Sequence, residues 1–412
     1  MPKKNDDFFK KKKEWSKVKD KLLGCYLTPY FSKILFTRKP TIYVDGFAGK
    51  GKFEDGEDGS PLTAIKCMQQ SQSNYSGKHT KPHIEMKFID LYHARELKEN
   101  LITFQNQNYE IISGAFEKEL IPMLKREAAK NRDRNLFLYI DPYGVKALNA
   151  ELFDVLPDVF RSVELLINFN SWGLLRMAFS LYNEDFYEAN KDIFSDLEEY
   201  DDTAELSANE VNEILGGDYW RDIVQRFRKN EIDGYDAEIE LSRRYKMRLK
   251  DKYTYVLDMP IRLKSGQRPK YRMVFATNHP DGCNLMADNI SNQSEMFLEV
   301  QRSGQMTLFS ETVENEIILP DSIMDKVKET LRNFTDFTRL NFIQAKFFTD
   351  YGVICKSSEI SSGHGSVLRK LEKQGYIDVN REPKMTKNGL PSTFWQEDKG
   401  KTIEVRINSK YR

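Results

Sequence analysis

The chain has 412 residues, with 63 basic and 63 acidic side chains and a formal net charge of zero. Hydrophobic residues make up 40% of the chain and charged residues 31%, which excludes wholesale disorder and a collagen-like chain. No apolar run is long enough for a membrane helix, the N-terminus lacks the apolar core of a signal peptide, and the four cysteines are scattered. These features predict a cytoplasmic protein of two or three domains.

Charge is unevenly distributed along the chain. Residues 1–40 carry twelve basic and four acidic side chains (net +8), residues 181–240 carry five and nineteen (net −14), and residues 321–412 carry seventeen and twelve (net +5). Basic ends could follow a polyanion such as nucleic acid, and the acidic middle would repel it or meet a basic partner. The alternative is that these segments are solvated surface, and the neutral total argues against strong non-specific nucleic-acid binding.

The chain starts with a basic leader, and a helix interrupted by Pro29 is predicted within residues 1–40. Strand-like and helix-like segments then alternate, with strands at 41–45, 83–90, 109–112, 135–140, 163–169, 253–258 and 271–277. Ser60 and Pro61 are expected to be the N-cap and first residue of the helix after the first strand. Apolar strands separated by helices predict an α/β, Rossmann-like domain with a predominantly parallel sheet over residues 41–300, including an acidic helical insertion at about 180–240.

The pattern changes after a predicted linker at residues 301–320. Over residues 321–412, helical spacing is followed by two alternating strands around the segment EPKMTKNGLPST, which has the composition of a hairpin tip. Helices followed by a basic hairpin predict a winged helix-turn-helix domain. Its candidate DNA-contacting residues are Ser366, Arg369, Lys370 and Lys373 on the recognition helix and Lys384 and Lys387 on the wing. The alternative is a winged helix that contacts protein.

A glycine-rich loop, Asp45-Gly46-Phe47-Ala48-Gly49-Lys50-Gly51, follows the first strand. Ligands of doubly wound sheets lie at the carboxyl ends of the strands, and glycines allow the backbone to approach them closely. The loop is neither a dinucleotide-binding fingerprint nor a Walker A loop. Its spacing resembles the first motif of S-adenosylmethionine-dependent methyltransferases, which predicts cofactor binding by Asp45, Phe47, Ala48, Gly49 and Gly51.

Two further cofactor contacts are predicted after the next strands. Asp90 ends the second strand, where a carboxylate can accept hydrogen bonds from ribose hydroxyls, although a helix-capping acid would explain it equally well. Ala115 lies in the segment Ser113-Gly114-Ala115-Phe116, which could border an adenine or be an ordinary strand-to-helix turn.

The candidate catalytic residues Asp141, Pro142 and Tyr143 follow the fourth strand in the sequence DPYG. Amino-methyltransferases carry [DNS]-P-P-[YFW] at this place, where an acceptor holds the target amine and a ring stacks on the base. Here the second proline is missing, so Asp141 could orient or deprotonate an acceptor without establishing an adenine methyltransferase. A cytosine C5 enzyme is disfavoured because the chain has no Pro-Cys pair. No metal site is expected, since Pro82 separates His79 from His83.

Taken together, YVDGFAGKGKFEDGEDGSP, FLYIDPYGVKAL, GGDYWRDIV and YRMVFATNHPDG resemble the three-Cys-motif partner proteins over roughly residues 20–300. The resemblance implies a Rossmann-like methyltransferase fold, S-adenosyl-L-methionine as cofactor, a winged-helix domain and a three-Cys-motif protein as a possible partner. Residues Gln305–Phe309 (QMTLF) also resemble the peptide by which bacterial proteins bind the sliding clamp, although a linker packed on its own domain is the simpler interpretation.

Two functions fit this sequence. The first is a nucleic-acid-directed, S-adenosylmethionine-dependent methyltransferase whose winged helix binds DNA. The second is a catalytically silent nucleotide- or DNA-binding subunit that acts with a partner enzyme in a mobile-element or phage-defence system.

Overall fold

The computed structural model describes residues 6–76, 83–105, 107–142, 144–145, 148–197, 206–261, 269, 271–304, 320–398 and 400–411. The chain divides into two compact units, Met1–Asn278 and His279–Arg412. The division falls at Asn278 rather than near residue 300, because the helix that follows it packs within the second unit. In the described part of the chain, no helix is both long enough and apolar enough to cross a membrane.

The first unit is a mixed α/β structure around a seven-stranded, largely parallel sheet. Its strands are β1 Thr41–Asp45, β2 Ile84–Asp90, β3 Tyr109–Ser113, β4 Asn135–Ile140, β5 Ser162–Phe169, β6 Tyr255–Ile261 and β7 Tyr271–Thr277. The order is β3-β2-β1-β4-β5-β7-β6; β1 to β5 are parallel, and β7 is antiparallel to both of its neighbours. The predicted alternation and parallel sheet are therefore confirmed.

Eleven described α-helices accompany this sheet. They are α1 Glu14–Thr37, α2 Ser60–Ser73, α3 Ala94–Asn100, α4 Phe116–Lys130, α5 Ala150–Asp154, α6 Leu156–Val159, α7 Ser171–Tyr182, α8 Glu184–Asn190, α9 Ala208–Leu215, α10 Trp220–Arg228 and α11 Gly234–Leu249. Shorter 3-10 helices cover Asp6–Phe9, Ile102–Phe104 and Lys191–Leu197. The acidic region predicted at 180–240 contains α8 to α10 and the start of α11.

Helix α1 covers one face of the sheet with aromatic side chains. The ring centroids of Tyr26 and Tyr30 lie 5.6 and 5.3 Å from that of Phe137 on β4. Pro29 lies inside the helix, so the predicted interruption is wrong. Because α1 ends just before β1 begins, its N-terminal half lies toward the carboxyl edge of the strands, where the candidate site is expected.

The N-cap of α2 is Gly59 rather than Ser60. Ser60 and Pro61 therefore occupy the first two helical positions, where a proline costs no hydrogen bond because those N–H groups have no partner within the helix. This shift leaves the Ser60 hydroxyl close to the end of β1 and hydrogen-bonded to Asp45.

The second unit combines helices with a three-stranded antiparallel sheet. The elements are α12 Pro280–Gly304, α13 Pro320–Leu331, β8 Thr338–Arg339, α14 Leu340–Tyr351, α15 Ser357–Ile360, α16 Val367–Lys373, β9 Ile377–Glu382 and β10 Thr402–Ile407, in the sheet order β8-β10-β9. Helix α12 is tied to α14 by Asn341, which donates to Asp281, and to α15 by Ser357, which donates to Asp288. Helix α16 buries Val367, Leu368 and Leu371, as its spacing predicts.

Candidate functional site

Three aspartates converge at one edge of the central sheet. Asp45 and Asp90 are the last residues of β1 and β2, and Asp141 directly follows β4. The strands run in the order β2-β1-β4, so these carboxylates lie at the point where the strand order reverses. Ligands of open α/β sheets bind at this crevice. The three aspartates predicted as site residues therefore lie together at this edge.

The backbone of the glycine loop is held by the protein itself. Four successive N–H groups donate within the first unit: Gly46 to Tyr139 O (2.9 Å), Phe47 to Asp45 Oδ1 (3.2 Å), Ala48 to Ile89 O (3.0 Å) and Gly49 to Asp90 Oδ2 (2.8 Å). These bonds fix the loop between the ends of β1, β2 and β4. They also leave none of the four amides free to hold a ligand.

The glycines of this loop make room for side chains of the protein. A Cβ atom at Gly46 would lie 2.6 Å from the ring of Phe116, and one at Gly49 would lie 2.9 Å from the ring of Phe9. A Cβ atom at Gly51 would lie 2.6 Å from Leu97, and both Gly49 and Gly51 have positive φ angles. In this structure, side chains of the protein itself therefore fill the space that these glycines leave open. Phe47 and Ala48 belong to the same packing, since Phe47 contacts the Phe116 ring and Ala48 is buried.

Asp45 is a buried carboxyl group with one unsatisfied oxygen. The residue is completely buried, and within the described structure Oδ2 has no hydrogen-bond partner. Burial raises the pKa of Asp45 to about 7, while hydrogen bonds from the Ser60 hydroxyl and the Phe47 amide oppose this rise and the nearby Asp141 and Asp20 add to it. A buried polar atom without a partner is costly, so this oxygen marks a place where a ligand group or a water molecule would be stabilised.

Asp141 does not have a free carboxylate. The ammonium of Lys19, on α1, lies 2.6 and 2.7 Å from its two oxygens, and the Asn168 amide donates to Oδ1 at 2.7 Å. The Tyr139 hydroxyl donates to Oδ2 at 3.2 Å, and the Lys19 ammonium lies 5.3 Å from the centroid of the Tyr271 ring. Lys19 is buried, so this is an ion pair largely shielded from water. Pro142 is buried beside it.

A second ion pair joins Lys12, which precedes α1, to Asp20 on α1. The Lys12 ammonium lies 2.6 Å from Asp20, and both groups are shielded from solvent. Burial raises the pKa of Asp20 to about 6, and the attraction of Lys12 partly offsets that rise. Tyr43, on β1, adds a buried hydroxyl without a hydrogen-bond partner in the described structure. The edge of the sheet under α1 is therefore crowded with carboxyl and hydroxyl groups that two lysines only partly neutralise.

The Asp90 carboxylate accepts hydrogen bonds from three backbone amides of the protein. Its Oδ1 accepts from the amides of Tyr92 (2.8 Å) and His93 (2.5 Å), and its Oδ2 accepts from Gly49. This arrangement matches the capping alternative better than an open ribose acceptor. Leu91 and Tyr92 beside it are 45% and 41% exposed, which provides an apolar surface next to the strand end. Ala115 is the half-buried N-cap residue of α4 after β3.

The predicted nucleic-acid residues of the second unit differ in exposure. Lys370, Lys373, Lys384 and Lys387 are exposed; Lys384 precedes the hairpin tip after β9 and Lys387 lies within it. Ser366 is buried and its hydroxyl donates to the Ser361 carbonyl, so the expectation that it points outward is wrong. Arg369 is half-buried and its guanidinium donates to the Ser362 carbonyl at 3.4 Å.

Sequence reasoning missed Lys12, Lys19, Asp20 and Asn168. The three residues of the N-terminal region lie in a segment whose many charges gave no sign of which would be buried. Asn168 carried a usable signal, because it is a polar residue next to the carboxyl end of the largely apolar strand β5. Tyr143 and the segment Gln305–Phe309 lie outside the described residues. Within the described part of the chain, no cluster of three or more His, Cys, Asp or Glu side chains could hold a metal ion.

The chain matches no protein-family model and no curated protein.

Proposed function

We propose that the first unit binds S-adenosylmethionine and acts as a methyltransferase on nucleic acid. The observation that carries this proposal is the unpartnered Oδ2 of Asp45, completely buried at the reversal of the strand order. A carboxylate there suits a ligand that brings positive charge and N–H donors, because a charge-assisted hydrogen bond would satisfy the oxygen. S-adenosylmethionine carries both a sulfonium and an ammonium group.

The strand order supports the same conclusion. A doubly wound dinucleotide-binding sheet has the order 3-2-1-4-5-6, and this sheet differs by an antiparallel strand between the fifth and the last. That arrangement agrees with the Rossmann-like methyltransferase fold implied by the resemblance to three-Cys-motif partner proteins. Fold alone does not define chemistry, so the side chains at the strand ends carry the rest of the proposal.

Different residues at this edge would contact different parts of the ligand. Asp45 would accept from the cationic part of the ligand, and the apolar surface of Leu91, Tyr92 and Ala115 would border its base. Bound S-adenosylmethionine supplies a methyl group on a positively charged sulfur. Asp141, paired with Lys19 and oriented by Asn168, would accept a hydrogen bond from an amino group of the acceptor base. A base within a duplex would have to flip out to reach it.

Replacing Asp45 with asparagine is expected to weaken S-adenosylmethionine binding about tenfold or more, because hydrogen bonds to charged groups contribute about 1.5–3 kcal/mol. Isothermal titration calorimetry measures the change. The matched control is Glu57→Gln in the turn that follows the glycine loop, since Glu57 is exposed and is not one of the three aspartates at the strand ends. Equal affinities for wild type and Asp45→Asn would remove Asp45 from the ligand site. Transfer of tritiated methyl groups to DNA, tRNA and protein extracts then tests whether the bound cofactor is used.

We propose further that the second unit is a winged helix that binds DNA. Support comes from the order α14, α15, α16 followed by the β9–β10 hairpin, and from the exposed Lys370, Lys373, Lys384 and Lys387. The three-Cys-motif protein, the sliding clamp and a cytoplasmic location stay predictions.

The double change Lys370→Glu with Lys373→Glu is expected to weaken duplex binding and to reduce the slope of log K against log salt by about 2. Each lost phosphate contact contributes about 0.9 to that slope. Fluorescence anisotropy with labelled duplex at several salt concentrations provides the measurement. Lys410→Glu changes another exposed lysine of the same unit and serves as the control. An unaltered affinity and slope would indicate a protein partner instead.

One observation favours the second candidate function, a catalytically silent binding subunit. Asp141 is already paired with an internal ammonium, and the second proline of the amino-methyltransferase motif is missing. Binding of S-adenosylmethionine without transfer to any substrate would support this alternative.

A further inference from the structure

The N-terminal segment lies directly on the glycine loop. We call residues 8–12 the N-terminal strap. The Phe9 ring packs against Gly49, with its centroid 4.9 Å from that of His93 and 5.7 Å from that of Phe53. The Lys50 ammonium lies 5.0 Å from the centroid of the same ring. Phe9 therefore fills the space above the loop at the junction between the ends of β1 and β2.

Polar contacts of Phe9 and Lys12 join the strap to the rest of the first unit. The Phe9 carbonyl accepts from the Glu54 amide at 2.8 Å, and the Lys12 amide donates to Asp55 at 2.9 Å. The Lys12 ammonium donates to the Asp58 carbonyl at 2.6 Å and pairs with Asp20 on α1. Asp55 and Asp58 belong to the turn that follows the glycine loop, so Lys12 joins α1, the strap and this turn.

We propose that the N-terminal strap is an autoinhibitory cover, and that a nucleoside ligand must displace Phe9 to reach the strand-end site. The inference rests on the proposed function, because it concerns access to the same site. A ligand held between Asp45 and the apolar surface at Leu91 has to pass over Gly49, which lies between the two strand ends, and the Phe9 ring is already in contact with that glycine.

The form of the strap suits displacement. Phe8 and Phe9 are half-buried, Lys10 and Lys11 are exposed, and the strap contributes no strand to the sheet. A short segment outside the sheet opens at a lower free energy than the core strands of its domain. If a ligand binds only the open form, its binding free energy is reduced by the free energy of opening, so the closed strap lowers the apparent affinity.

The first experiment measures S-adenosylmethionine binding by calorimetry for wild type, Phe9→Ala and Lys12→Met. The control is Lys11→Met, since Lys11 is the exposed neighbour of Lys12. We expect Phe9→Ala to bind about tenfold more tightly than wild type, Lys12→Met to shift in the same direction, and Lys11→Met to match wild type. An unchanged or weaker affinity for Phe9→Ala would overturn the proposal.

The second experiment tests whether the strap opens in the absence of ligand. Hydrogen exchange of the free protein should show the Glu54 and Lys12 amides exchanging through a local opening, faster than the amides of β1, and faster still in Phe9→Ala. Exchange of these amides only through global unfolding would contradict a displaceable strap. If no variant binds S-adenosylmethionine, the proposed function fails, and hydrogen exchange still decides whether the strap opens.

Discussion

Replacing Lys19 with methionine is expected to lower the free energy of unfolding by about 3 kcal/mol, the low end of the range for breaking a buried ion pair. The variant keeps the length of the side chain but leaves the Asp141 carboxylate with Asn168 and Tyr139 as its side-chain donors among the described residues. Solvent reaches only 7% of the Lys19 side chain and 22% of the Asp141 side chain, so water compensates little for the lost ammonium. Urea unfolding followed by circular dichroism measures the change.

A double-mutant cycle shows whether the loss comes from this pair. Lys19→Met combined with Asp141→Asn removes both charges and should recover most of the lost stability, because no uncompensated charge remains. Lys33→Met is the matched control, since it removes an exposed lysine from the same helix and should change stability by less than about 0.5 kcal/mol. Additive effects in the cycle would show that Lys19 stabilises the fold independently of Asp141.

The second large effect is a gain of stability from Asp45→Asn at neutral and alkaline pH. Burial raises the pKa of Asp45 to about 7 from an ordinary value of 3.8, so the folded protein holds a proton that the unfolded chain has released. Wild-type stability from this group is therefore highest at acidic pH and falls as the pH rises from about 4 to about 7. Asparagine cannot ionise and avoids this loss.

The stability difference between Asp45→Asn and wild type should therefore grow with pH. Since one pKa unit corresponds to about 1.4 kcal/mol, we expect it to approach about 4 kcal/mol above pH 8 and to be small near pH 4. Denaturant unfolding of both proteins at a series of pH values measures the difference. Glu57→Gln, which changes an exposed acid in the turn after the glycine loop, should show no comparable trend. A stability difference that is independent of pH would mean that the pKa of Asp45 is not raised in the folded protein.

The stability and binding experiments together make a combined prediction for Asp45→Asn. Asp45→Asn should be more stable than wild type at neutral pH and yet bind S-adenosylmethionine more weakly. Loss of binding in a stabilised variant cannot arise from misfolding. Functional sites commonly hold groups that the folded state accommodates at a cost, and a buried carboxyl with an unpartnered oxygen has that character.

Phe9 covers the glycine loop, so the position of the strap affects how a ligand could be held there. In the described conformation the glycine loop is covered by Phe9 and Phe116, and its first four amides are satisfied internally. A ligand would therefore rely on side chains at the strand ends more than on the loop backbone. This differs from the way in which glycine-rich loops hold phosphates through their amides.

Much of the first unit could be predicted from the sequence alone. Strands such as 41–45 and 135–140 are short, largely apolar runs that only a sheet covered on both faces can bury, and each has an aspartate at its carboxyl end, Asp45 and Asp141. Because parallel strands end at a common edge, Asp45, Asp90 and Asp141 were expected near one another. That expectation needed only local pattern and the geometry of parallel sheets.

Only the tertiary structure decided what each aspartate contacts. Asp141 pairs with Lys19, 122 positions away, and Phe9 fills the space above Gly49, because α1 and the strap fold back over the strand ends. Such contacts depend on the path of the chain between elements, which local periodicity does not encode. Local pattern therefore determined the sheet and the positions of its polar ends, whereas long-range packing determined which of those polar groups are paired, covered or left without a partner.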